Sequence, residues 1–74
     1  MTENTQIIFM QVRLLRLASE MWKKSISETV DIFNQNGVLE YIRDCFGMFH
    51  MEGDEAVLEE IQLMLNHKGV EYCA

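Results

Sequence analysis

The sequence predicts an all-α fold, a small bundle of about four helices in which two longer helices flank two short ones. Three observations carry that prediction. Apolar residues recur at spacings of three and four along most of the chain. Helix boundaries are marked by residue type, most densely between Ser25 and Gly53. There is no proline, and the periodic segments are separated by short glycine turns, which make consecutive helices pack on one another.

The first helix is read from about Glu3 to Lys23. Thr2 is placed to cap it, and Glu3 suits the positive end of its dipole. Ile7, Met10, Leu14, Leu17, Ala18 and Met21 form one apolar row, with Ile8, Val12, Leu15 and Trp22 beside it. A face that wide predicts a central helix, or one with both an intrachain and an interchain contact. Arg13, Arg16 and Glu20 mark its wet side.

The second helix opens at Ser25, where Ser25-x-x-Glu28 has the form of a capping box. Ile26, Val30 and Phe33 are its expected buried row. Gly37 is suited to the left-handed residue that closes it. The third helix is read from about Val38, its apolar face formed by Val38, Leu39, Tyr41, Ile42, Cys45, Phe46 and Phe49. Gly47 is expected to kink the helix or fray its end, and Gly53 closes the turn. Asp54 is then placed to cap a fourth helix running to about His67, with Val57, Leu58, Ile61, Met64 and Leu65 inward and Gly69 as its stop.

Seventy-four residues form a single domain, 1–74, with frayed ends at about 1–4 and 70–74, although Val70 and Tyr72 are able to dock. Hydrophobic residues make up 49% of the chain, which argues against disorder. A chain this short buries only ~60% of its unfolded surface, so oligomerisation or a partner protein is the expected support. The two cysteines are too few for a secreted disulfide framework and read as reduced thiols: Cys45 as a small core hydrophobe, Cys73 mobile beside the C-terminus. The opening MTENTQ lacks the basic start of a signal peptide, and no run reaches the ~18 apolar residues of a membrane span. A cytoplasmic protein is expected.

Charge is divided unevenly. Residues 1–43 hold five acids and five bases, whereas residues 44–74 hold seven acids (Asp44, Glu52, Asp54, Glu55, Glu59, Glu60 and Glu71) and one base, Lys68. The whole net charge of −6 therefore lies in the second part. Such a half repels nucleic acid and anionic membrane and favours a basic partner surface, unless it is simply a solvated helix face.

No spacing signals chemistry. Cys45 and His50, five apart, and His67 and Cys73, six apart, do not match close-paired zinc ligands, and five residues along a helix turn by about 140°. His50 is read as structural, bonding free carbonyls at a helix end. Ser19, Ser25 and Ser27 lack the glycines of a nucleophile elbow, and there is no phosphate loop or dinucleotide fingerprint. No cofactor, metal or catalytic residue is expected. The second and third helices have the outline of a helix-turn-helix, but the would-be recognition helix carries Arg43 among acids and aromatics.

Ser25 to Gly53 resembles a small bacterial family, domain of unknown function 3791. The resemblance rests on Ser25, Glu28, Phe33, Gly37, Val38, Tyr41, Ile42, Phe46, Phe49, His50 and Gly53, followed by Val57, Glu59 and Ile61. The chain departs from it at Phe46, where the family more often has tyrosine, and at Phe49, where it more often has leucine. Members are often encoded beside an ADP-ribosyltransferase-like toxin, so the resemblance implies an accessory or antitoxin-like partner protein.

The reading is a non-catalytic, homo-oligomeric protein-binding module. Phe46, Met48, Phe49 and Met51 are its expected apolar contacts and Glu55, Glu59 and Glu60 its acidic ones. Ser25, Glu28, Gly37, His50 and Gly53 are structural. The alternative is a homo-oligomeric DNA-binding transcriptional regulator with a degenerate helix-turn-helix.

Overall fold

A computed structural model describes residues 2–72. Five helices follow one another: α1 (Glu3–Trp22), α2 (Ile26–Gln35), α3 (Val38–Asp44), α4 (Phe46–Phe49) and α5 (Asp54–His67). The described residues contain no strand, and the protein is a small all-α bundle. None of the described helices is long and apolar enough to cross a membrane.

α1 is the spine. Its 20 residues rise about 30 Å, close to the 35 Å long axis of the molecule, and α2, α3 and α5 all pack on it. Thr2 caps its start, its hydroxyl accepting from the Thr5 N–H at 3.2 Å. The buried row is Ile7, Met10, Leu14, Ala18 and Trp22. Met21 and Trp22 both stand on the expected apolar face, but Met21 is 58% exposed while Trp22 is buried. The indole decides this: its N–H donates to Gln62 Oε1 at 2.9 Å, and its ring meets Phe33 and Tyr72 at centroid distances of 6.0 and 4.8 Å. A buried tryptophan needs a partner for its polar edge, and α5 supplies one.

α1 ends at Lys23, whose backbone is left-handed (φ 56°). The Ser19 carbonyl accepts from the N–H groups of both Lys23 and Lys24. α2 then opens on the full capping box: Ser25 Oγ accepts from Glu28 N at 3.0 Å, and Glu28 Oε1 accepts from Ser25 N at 3.2 Å. Its buried row is Thr29 and Phe33, not Ile26, which is exposed, with Val30 only partly covered. Thr29 is fully buried because its hydroxyl donates to the Ser25 carbonyl at 2.8 Å. Gly37 (φ 67°) turns the chain into α3.

The third helical segment is broken in two. The interruption is at Cys45 (φ −100°, ψ 10°), two residues before Gly47. An unbroken helix would separate Tyr41 and Phe49 by about 12 Å of rise. Across the break their rings meet edge to face at 5.4 Å. α5 begins one residue differently from expectation as well. Gly53 occupies the cap position, and Asp54 is the first helical residue, held by Arg13 Nε at 3.0 Å instead of capping. Val57, Leu58, Ile61 and Leu65 are its buried stripe. Val70 and Tyr72 return to the core after Gly69.

Candidate functional site

The acidic stretch meets α1 along one groove. Glu55, Glu59 and Gln62 stand at successive turns of one α5 face, spaced by four and three residues. Opposite them α1 presents Leu17 and Met21, with Leu58 at the base. These six residues enclose about 320 Å³. Glu55 and Glu59 are exposed, and Glu55 gains further from the positive end of the α5 dipole. Gln62 accepts from the Trp22 indole N–H, which orients the side chain at that end of the groove. The ion pair of the described residues is Arg13–Asp54, in which neither Glu55 nor Glu59 takes part. Lys68 reaches away to the Asn36 carbonyl at 3.0 Å.

Glu60 does not join them. It points about 100° away from Glu59, and its charge, after burial and the charge of Cys45 and ahead of that of Glu52, raises the pKa of the Tyr41 phenol. The three expected acidic contacts therefore split between two flanks of α5. The four expected apolar contacts split as well. Phe46 and Phe49 are buried alongside Val38 and Ile42, while Met48 and Met51 are exposed, Met51 at 81%. The apolar surplus around α4 thus divides into phenylalanines that fill the core and methionines that face outward.

A second groove, about 410 Å³, lies between the start of α1 and α4, lined by Gln6, Phe9, Met10, Arg13, Phe46, His50 and Glu52. His50 Nδ1 lies 3.0 Å from the Phe46 carbonyl, and the imidazole stacks on the Phe46 ring at 5.2 Å and 21°. Its walls place His50 near Glu52 and Arg13 but include no hydroxyl or thiol. Among the described residues no group of three or more His, Cys, Asp or Glu side chains is placed to hold a metal ion. Cys45 is a partly covered free thiol, and Cys73 lies outside the described residues.

Sequence reasoning missed Gln62 altogether and placed Leu17 and Met21 on the broad apolar face of α1 without marking them as groove residues. The usable signal was the indole N–H of Trp22, which had to find an acceptor once its ring was buried.

The family model described as Protein of unknown function (DUF3791) matches residues 9–68. The chain belongs to that family. The DUF3791 match takes in α2 to α5 entire and most of α1, hence the capping box, Gly37 and all six residues of the α1–α5 groove. No curated protein and no solved structure matches the chain.

Proposed function

We propose that this DUF3791 protein is a non-catalytic protein-binding module of the cytoplasm whose contact surface is the α1–α5 groove. The observation that supports this is the pairing of an apolar floor (Leu17, Met21, Leu58) with an acidic rim (Glu55, Glu59). A large apolar side chain enters such a groove while flanking Lys or Arg residues meet the rim, the pattern of an amphipathic basic helix. Met21 adds an adaptable wall, since an unbranched thioether repacks around different shapes. The acidic rim gives attraction and orientation, and the apolar floor gives affinity.

The resemblance to a family encoded beside ADP-ribosyltransferase-like toxins supplies a candidate partner with suitable chemistry. A cleft that holds anionic cofactor phosphates is basic, and an antitoxin-like module with an acidic rim complements it. DNA is not proposed: α3 carries one base, Arg43, against two acids, Glu40 and Asp44.

The test is affinity purification of the tagged chain from its host with mass spectrometry, followed by calorimetry with the protein recovered. Glu55→Lys with Glu59→Lys should weaken the complex about tenfold or more at low salt, and added salt should weaken the wild-type complex. Glu60→Lys, on the other flank, should change it little. Unchanged affinity of the double variant at low salt would overturn the groove assignment.

A further inference from the structure

α1 carries a second apolar seam that the bundle covers only in part. Thr5, Ile8, Val12, Leu15 and Ser19 alternate spacings of three and four, the period of a coiled-coil contact. The core row of the same helix ends Leu14, Ala18, Trp22 at spacings of four, so the two rows diverge. Ile8 and Val12 remain 44% and 45% exposed, and Leu15 is partly covered. At about 100° per residue the seam lies on the flank of α1 opposite Leu17 and the acidic groove.

We propose that this seam pairs with the same seam of a second copy of the chain, antiparallel and centred on Val12. Charge selects the occupant. The charged residues of α1 are Glu3, Arg13, Arg16 and Glu20, which sum to zero, whereas the net −6 of the chain lies beyond residue 43. Two copies therefore meet along α1 without the repulsion that opposes every approach through α5. A strongly basic partner finds no acidic rim here to favour it.

The residue order is self-complementary. With Val12 facing its own counterpart, Ile8 of one copy lies beside Leu15 of the other, and Thr5 beside Ser19. Both hydroxyls at the seam ends are already bonded within their own chain, Thr5 to Thr2 at 2.9 Å and Ser19 to the Lys24 carbonyl at 2.7 Å. The seam can therefore close on small residues without stranding a polar group. Antiparallel packing also sets opposite helix dipoles side by side. One helix seam about 21 Å long is narrower than a standard interface of ~1,600 Å², so the dimer is reversible and concentration-dependent. The α1–α5 grooves stay open on its two outer sides.

Sedimentation velocity from micromolar to near-millimolar concentration tests the pairing. The wild-type chain should shift from monomer to dimer across that range. Val12→Glu, checked for retained helicity, should raise the dimer Kd about tenfold or more, because it places a carboxylate on the seam axis. Glu55→Lys with Glu59→Lys should leave the dimer intact. Orientation is read by cysteine cross-linking in a Cys45→Ala, Cys73→Ala chain. Val12→Cys should cross-link to itself, and a mixture of Ile8→Cys and Leu15→Cys chains should cross-link where Ile8→Cys alone does not. A wild-type chain monomeric throughout, a Val12→Glu chain that dimerises as before, or self-cross-linking of Ile8→Cys overturns the proposal.

Discussion

The turns that follow α1 and α2 pass through the same left-handed backbone conformation with opposite residues. Lys23 closes α1 at φ 56° and ψ 44°, and Gly37 closes α2 at φ 67° and ψ 27°. For Gly37 the left-handed turn carries no penalty, since there is no Cβ to crowd the next carbonyl. For Lys23 it costs about 1–2 kcal/mol. The surroundings of the two stops differ accordingly. At Lys23 the Ser19 carbonyl takes two N–H groups and the Ser19 hydroxyl bonds the Lys24 carbonyl at 2.7 Å, with the capping box starting at once after it. Net contributions of about 1 kcal/mol per bond are enough to offset the strain. A left-handed turn after a helix thus rests on a missing Cβ at Gly37, and again at Gly69 (φ 73°), and on a cluster of local hydrogen bonds at Lys23.

The largest effect should come from giving the second stop a side chain. A Cβ at Gly37 would meet only Glu40 Oε2, at 3.8 Å, an ordinary contact, so the cost is conformational and not steric. Gly37→Val should destabilise the fold by about 2 kcal/mol, lowering Tm by roughly 10 °C for a domain of this size. Gly37→Asn, which tolerates the left-handed region, should lose less than half as much. Equal losses in thermal melts of the two variants would place the cost in packing, against the comparison drawn here.

The difference between the two stops also explains what could be read from the sequence. Gly37 and the Ser25–Glu28 pair announce themselves, because a missing Cβ and a capping box are local chemistry. Lys23 does not, since nothing in its type favours φ above zero. The break at Cys45 is equally silent, as any residue adopts its backbone angles. Met21 and Trp22 both fit a helical apolar face, and only Gln62, Phe33 and Tyr72, brought in by tertiary packing, decide which goes inside. The groove was half legible. The acids of its rim were evident, but their apolar partners Leu17 and Met21 come from the far end of the chain. The separation of Glu59 from Glu60 was available all along, because neighbours on a helix point about 100° apart.

A middle-sized effect should follow from weakening the capping box that succeeds the Lys23 stop. Ser25→Ala should cost about 1 kcal/mol, seen as a lower Tm or urea midpoint. Its distinguishing signature is Glu28. The bond from the Ser25 backbone N–H, then that to its side chain, then the charge of Lys24, hold the Glu28 carboxyl below its ordinary value of 4.5. A depressed carboxylate stabilises the fold above its unfolded pKa and loses that contribution as pH falls through the lower folded value. In a carbon-detected NMR titration, Glu28 should ionise below 4.5 in the wild type and move upward in Ser25→Ala. A carboxyl unmoved by the substitution would show that the backbone bond alone sets its acidity.

The smallest effect, and the most direct on the comparison, is making the two stops alike. Lys23→Gly removes the left-handed strain of about 1–2 kcal/mol but adds about 0.5–1 kcal/mol of unfolded-chain entropy. The first outweighs the second, so stability should rise by about 0.5 kcal/mol and Tm by roughly 3 °C. The sign is informative either way. A rise shows that the Ser19 bonds compensate for a strain still present in the folded chain. A fall shows that the lysine side chain contributes more than its backbone costs, which would make the end of α1 a charged feature beside Met21 and the groove, and not a tolerated imperfection.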